Sequence, residues 1–246
     1  VLELTLDPKK SFALVKDSQR LILSWDSNGH NGAAIGFGHD RMLYITTGWT
    51  ENRERPQDPD SLAGKILRLT PHGAVPQDNP FDGSPVWSLG HRNPQGIAWG
   101  GDGTLYAAEH GQSGHDEVNR IEAGGNYGWP LIQGDETGDG LTTPLAHSGG
   151  RTWAPSGLAW DGDRLLILSG AISDHEALQS VFVLDPADFD REVIGADRLP
   201  SILDLAIQRG GDNAEGLEVV GEGADRRLMI VYDSPHNHRT DADEGR

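Results

Sequence analysis

Residues 86–130 read VWSLGHRNPQGIAWGGDGTLYAAEHGQSGHDEVNRIEAGGNYGWP, and their pattern decides the fold class. Apolar runs at 96–99 and 104–108 flank a Gly-Gly-Asp-Gly turn, and a third run at 117–121 ends in a glycine-rich exit. Short apolar runs between glycine-rich turns predict antiparallel strands. Residues 91–95 (HRNPQ) lead into the first strand and residues 109–112 (EHGQ) lead out of the second. An antiparallel hairpin brings its beginning and end together, so the two polar clusters share one rim.

The same strand–turn–strand unit recurs at 34–47, 158–169 and 217–233. With Ile35, Ile97, Leu158 and Leu217 taken as equivalent, the spacings are 62, 61 and 59 residues. A third strand follows at 65–70, 117–121 and 181–185, and a fourth at 86–89 and 202–207, with 151–153 as its counterpart in the second unit. Four-stranded units at near-constant spacing predict an all-β, single-domain β-propeller over residues 1–246. The last unit lacks its outer strands, and residues 1–6 and 20–25 are apolar enough to supply them. The expectation is therefore four blades closed by N-terminal strands, which would remove the exposed sheet edges. In such a ring the lead-in loops 29–32, 90–95, 153–156 and 212–215 gather at one mouth and form the default site. The connection at 49–60, rich in charge, reads as solvated loop surface.

Composition narrows the function. Thirty-eight acidic against twenty basic residues give a net charge of −18, which disfavours nucleic acid and anionic membranes as partners. No apolar run reaches the length of a membrane span, so no membrane insertion is expected. Cysteine is absent, which excludes disulfides, thiolate catalysis and cysteine-held metals. Residues 1–4 (VLEL) lack the basic head of a secretory leader.

The runs GHRNPQG, DGTLYAAEHG and DEVNRIEAGGNYGWP, with HNGAAIGFG, LAGKILRLTPHGAVPQDNPF and WAPSGLAW around them, closely resemble the soluble sugar dehydrogenases that depend on pyrroloquinoline quinone (PQQ). This is the glucose/sorbosone dehydrogenase family, and the likeness spans residues 29–160. The resemblance implies oxidation of an aldose sugar or related polyol, PQQ and calcium as cofactors, an external electron acceptor, and a periplasmic or secreted location. It also implies an alternative architecture, in which this chain is part of a six-bladed propeller.

By residue, the resemblance implies that His30 is the base that removes the sugar hydroxyl proton, a task suited to imidazole. It places Arg92 and Asn93 at the cofactor, where Gln95 offers a further donor, and gives Arg92 a catalytic part. Gly111 and Gln112 would offer carbonyls to a calcium ion beside the quinone. Glu117 and the Tyr127 carbonyl would hold a separate calcium, with Asp135 and Glu136 nearby. His91 reads as a packing residue and Asp116 as solvated. Two departures stand out: Gly29 and the Ala33-Ala34 pair occupy positions where relatives carry charge. Beyond residue 160 the lysine and arginines that hold the quinone carboxylates have no match; Arg209 could substitute for one of them, although nothing in the spacing requires it. Two other functions remain open at this stage: a propeller scaffold without cofactor, and a calcium-dependent hydrolase using Asp212, Glu215 and His30. His236 and His238 form a further metal-like pair in the tail.

Overall fold

The chain opens with four two-residue strands, β1 (Leu2–Glu3), β2 (Leu6–Asp7), β3 (Ala13–Leu14) and β4 (Arg20–Leu21). The computed structural model describes residues 1–170, 179–189, 194–195, 201–205, 213–221 and 223–233. Strand β1 pairs with β4 and β2 with β3, both antiparallel. Four larger sheets then follow in chain order, and no α-helix occurs among the described residues. Sheet I is β5 (Ile35–Phe37), β6 (Leu43–Thr47), β7 (Lys65–Leu69) and β8 (Val86–Leu89), in that spatial order. Sheet II is β9 (Pro94–Trp99), β10 (Leu105–Glu109), β11 (Glu117–Ile121) and β12 (Ala146–His147). Sheet III is β13 (Pro155–Asp161), β14 (Arg164–Ser169), β15 (Gln179–Leu184) and β17 (Ser201–Leu205). Its neighbour in sequence, β16 (Ile194–Gly195), crosses to sheet II and pairs parallel with β12. Sheet IV is β18 (Asn213–Val220) and β19 (Arg227–Asp233).

The repeat is real at the level of register. Ile35 faces Ile45, Ile97 faces Ala107, Leu158 faces Ile167 and Leu217 faces Ile230 across their hairpins. Each sheet packs face to face on the next, as propeller blades do. Tyr44 and Ile66 of sheet I meet Leu105, Ala107 and Ile121 of sheet II. Ala98, Val118 and Tyr106 meet Leu158, Leu165 and Ile167 at the second seam. Leu166, Leu168 and Val183 meet Leu217 and Ile230 at the third. Each fully buried aliphatic side chain here stabilises the fold by about 1.5–3 kcal/mol. The innermost strands approach closely: a Cβ on Gly96 would stand 3.0 Å from the Gly157 Cα, so the facing backbone would have to give way to any larger residue.

Two expectations are corrected. The N-terminal strands do not complete sheet IV among the described residues. They pair with one another, and Val1, Ile22, Leu23 and Trp25 pack on the outer face of sheet I against Leu67, Leu69 and Val86. The packing of Val1, Ile22, Leu23 and Trp25 ties the segment to sheet I, although Leu2, Leu6, Phe12, Leu14 and Leu21 stay exposed. Among the described residues no sheet closes on itself, and Ile35 and Phe37 on β5, like Met229 and Val231 on β19, remain more than half exposed. The outer strand of sheet II is Ala146–His147 rather than residues 151–153. Ala146 is wholly buried against the core, whereas the Trp153 amide is taken by the Asp116 carboxylate.

Candidate active site between the first two sheets

Where β6 ends and β5 begins, the chain packs backbone on backbone. A Cβ on Gly48 would stand 1.7 Å from the His30 carbonyl oxygen, so the 29–32 lead-in and the 48–64 connection lie in direct contact. That contact brings Glu51 to His30, and the Glu51 carboxylate bonds His30 Nδ1. On the other side of the ring, Arg92 Nη2 lies 3.5 Å from His30 Nε2. A carboxylate accepts from Nδ1–H and leaves the Nε2 lone pair facing the arginine, the tautomer a proton acceptor needs. His30 and Glu51 are each partly open to solvent.

Arg92 is held from several directions. Its Nη1 donates to the His110 carbonyl at 2.9 Å, and its backbone N–H donates to Glu109 Oε2 at 2.7 Å. The guanidinium lies beside the paired Trp49 and Trp129 rings, 5.9 and 5.5 Å from their centroids. Burial works against its charge, and the carboxylates of Glu109, Asp116 and Glu51 partly offset that. Asn93 is buried, and its Oδ1 accepts the Gly32 N–H at 3.0 Å, so it pins the His30 loop. Gln95 is half-buried near the start of β9. Gln112 is exposed and accepts from Arg53 Nη1 at 3.0 Å.

Beneath the rim lies a knot of buried charge. His91, fully buried, bonds Ser88 Oγ and Glu109 Oε1 and stacks on Tyr127 at 4.7 Å. Asn119 Nδ2 donates to Glu109 Oε1 at 2.8 Å and to Glu117 Oε2 at 3.3 Å. Glu117 Oε1 accepts the Gly134 N–H at 2.7 Å. Burial, and then the Glu109 charge, push the Glu117 carboxyl up to about 8. A cavity of about 10 Å³, room for one water-sized particle, is lined by Glu109, Gly111, Glu117 and Tyr127 among others. Asp116 is not solvated but buried: Oδ1 takes the Gly111 N–H, and Oδ2 takes the Trp153 and Ala154 N–H groups. Asp135 and Glu136 stay exposed on the adjoining turn. Asp212, Arg209, His236 and His238 lie outside the described residues, as does the side chain of Glu215.

The structure therefore brings His30, Arg92 and Asn93 together at one rim, with Glu117 and Tyr127 below. Glu51 was missed by the sequence reading, which treated 49–60 as loop surface. The signal was present, because that connection leaves β6 at the end where β5 begins.

The family model for glucose/sorbosone dehydrogenases matches residues 5–172. The chain belongs to that family. A second model, of a family described as of unknown function, matches residues 156–245. The aldose sugar dehydrogenase YliI of Escherichia coli is 41% identical over 130 residues, which cover 49% of this chain and 34% of that protein. Quinoprotein glucose dehydrogenase B of Acinetobacter calcoaceticus is 36% identical over 136 residues, covering 46% and 28%. The chain thus matches about a third of the length of these curated relatives. The PQQ-bound aldose sugar dehydrogenase of Streptomyces coelicolor superposes with a TM-score of 0.74 at 30% identity, over 93% of this chain and 70% of that one.

The rim suits an anionic, planar, oxygen-rich group. Among the described residues, seven buried side-chain nitrogen or oxygen atoms lack a protein partner, and six belong to Trp49, Arg92, His110, His115, Asn119 and Trp129. Three of these are N–H donors on Trp49, Arg92 and Trp129, which call for acceptors. No three carboxylate or imidazole groups among the described residues converge tightly enough to hold a metal alone. A hard cation would rely on Glu117 and Glu109 together with loop carbonyls, which is calcium-type chemistry.

Proposed function

We propose that the protein is a PQQ-dependent dehydrogenase of aldose sugars or related polyols, with calcium as a second cofactor and an external electron acceptor. The observation that carries this reading is His30 held between Glu51 and Arg92, beside buried donors that lack acceptors. When bound, the quinone supplies the acceptor for the hydride leaving the sugar carbon. Arg92, with the Trp49 and Trp129 N–H groups, would hold its oxygens. Gly111 and Gln112 would turn carbonyls to a calcium ion beside it, and Glu117 with the Tyr127 carbonyl would hold a second. A periplasmic or secreted location belongs to the same reading.

The proton chemistry rests on this chain's own residues. His30 Nε2 takes the hydroxyl proton, while Glu51 fixes the tautomer through Nδ1–H and stabilises the imidazolium that forms. Arg92 places a positive charge beside that nitrogen. Asn93 anchors the loop through Gly32. A cofactor-free scaffold has no use for such a histidine. The hydrolase reading depends on Asp212 and Glu215, which the described geometry does not include.

The test is to add PQQ, with and without calcium, to purified protein and follow absorbance and sugar-dependent dye reduction. His30→Gln should keep quinone binding and lose turnover by about 10²–10⁴-fold, the usual worth of a general base. Failure of the wild-type protein to bind quinone at micromolar concentration with calcium present would overturn the reading.

A further inference from the structure

Lys65 stands at the first position of β7, at the foot of the connection that carries Glu51, and its side chain is fully buried. Its ammonium donates to three backbone carbonyls: Arg55 at 2.7 Å, Ala63 at 2.8 Å and Pro56 at 3.1 Å. Three N–H donors thus meet three acceptors, all in the 48–64 connection. Burial pushes the Lys65 ammonium down to about 7, and Asp58, the carboxylate that acts on it, pulls it back up. The carbonyl bonds favour the charged form.

The connection so gathered has work to do at the rim. Pro56 O also accepts the Gly90 N–H at 2.9 Å, next to the His91–Gln95 cluster. Gln57 Nε2 donates to the Trp129 carbonyl at 2.7 Å, and Trp49 N–H to the Arg92 carbonyl at 2.8 Å. Thr50 and Glu51 both adopt left-handed backbone, with φ of 55° and 61°. Non-glycine residues persist there only when the surroundings over-determine them. The Lys65 ammonium holds the same connection further along, at Arg55, Pro56 and Ala63.

We propose that Lys65 is the positioning residue of the site: by gathering the Arg55, Pro56 and Ala63 carbonyls it holds the 48–64 connection in the conformation that sets Glu51 against His30. This rests on the reading of His30 as the base. Lys65 touches neither substrate nor cofactor and acts through Glu51.

The test uses the ring-nitrogen NMR shifts of His30 in the ¹⁵N-labelled protein without quinone, since these report which nitrogen carries the proton. Wild type should show the Nδ1–H form. Glu51→Gln and Lys65→Met should both return the ring toward the Nε2–H form of free imidazole, and the double variant should go no further. Leu67→Ala, which cuts a cavity in the same strand without touching the carbonyls, should melt earlier yet keep the Nδ1–H form. In the quinone-loaded enzyme, Lys65→Met should lower kcat about tenfold and leave the sugar KM within about twofold. If Lys65→Met melts earlier but keeps the wild-type ring shifts, Lys65 is structural only and the proposal falls. Should Lys65→Met not fold, Lys65→Gln, with two donors, should give an intermediate shift; an unchanged ring there overturns the proposal equally. The ring readout needs no quinone, so it stands or falls separately from the dehydrogenase reading.

Discussion

Sheets I and II place opposite charges at the same position. Lys65 opens β7 opposite Thr47, and Glu117 opens β11 opposite Glu109. Both side chains are buried at the foot of a loop that rises to the rim. The Lys65 ammonium is matched by three carbonyls, and its neighbour Thr47 is a neutral hydroxyl. Glu117 instead faces a second carboxylate, accepts from one backbone N–H and shares the Asn119 amide. One end is electrostatically finished by its own chain and the other is not. A repeated fold supplies equivalent positions, while the partners in the loops decide whether a buried ionisable group is fully matched within the chain.

The largest effect should come from breaking the finished end. Lys65→Met removes three charge-assisted hydrogen bonds and strips the Ala63 carbonyl of its ammonium donor, while the Arg55 and Pro56 carbonyls keep the Asp58 and Gly90 N–H groups. It should lower the unfolding free energy by about 2–4 kcal/mol in urea titration. A loss below about 1 kcal/mol would mean that water replaces the ammonium freely, and the contrast with Glu117 would dissolve.

The unfinished end should respond to calcium. At a free concentration a hundred times Kd, an ion that binds only the folded state adds about 2.7 kcal/mol of stability. Calcium should raise the melting temperature of wild type and of Lys65→Arg, and raise that of Glu117→Gln by less. The pH dependence sharpens this. The folded Glu117 pKa is raised from 4.5 to about 8, so between those values the folded protein holds the proton that the unfolded chain has lost. Calcium-free stability should therefore fall as pH rises through that window. Glu117→Gln should flatten that fall, and a wild-type profile without it would argue that the carboxyl is solvated.

The smallest effect belongs to the rim above both ends. Arg53 lies 4.8 Å over the Trp129 ring and bonds Gln112, but it is exposed. Arg53→Ala should cost about 0.5–1 kcal/mol by thermal melting and leave the calcium response intact. A larger cost would make the rim, rather than the buried ends, the seat of stability.

Much of this was legible in the chain. Hairpins at 34–47, 97–109, 158–169 and 217–233 announced themselves because strand periodicity and glycine turns are local signals. GHRNPQG and NYGWP carried the family, and the shared rim of residues 91–95 and 109–112 followed from antiparallel pairing. The fate of the N-terminal strands was not legible, because residues 1–6 are equally apolar whether they pair with β19 or with β4. Nor was the burial of Asp116, whose amide partners at 153 and 154 are remote in sequence.

What the sequence alone determined is therefore the all-β repeat, the family and the chemical types available at the mouth: an imidazole, a guanidinium, amides and carboxylates. These depend on composition, on local strand and turn patterns, and on the recurrence of those patterns along the chain, all of which are read without knowing which residues touch. The tertiary structure decided which of them meet. Glu51 reaches His30 across 21 residues and Arg92 reaches it across 62, because the backbone contact at Gly48 and the packing of sheet I on sheet II fold those loops onto one rim. It also decided the electrostatics, since burial depth and partner count, not residue type, make Lys65 a satisfied clamp and Glu117 a carboxyl pushed up to about 8.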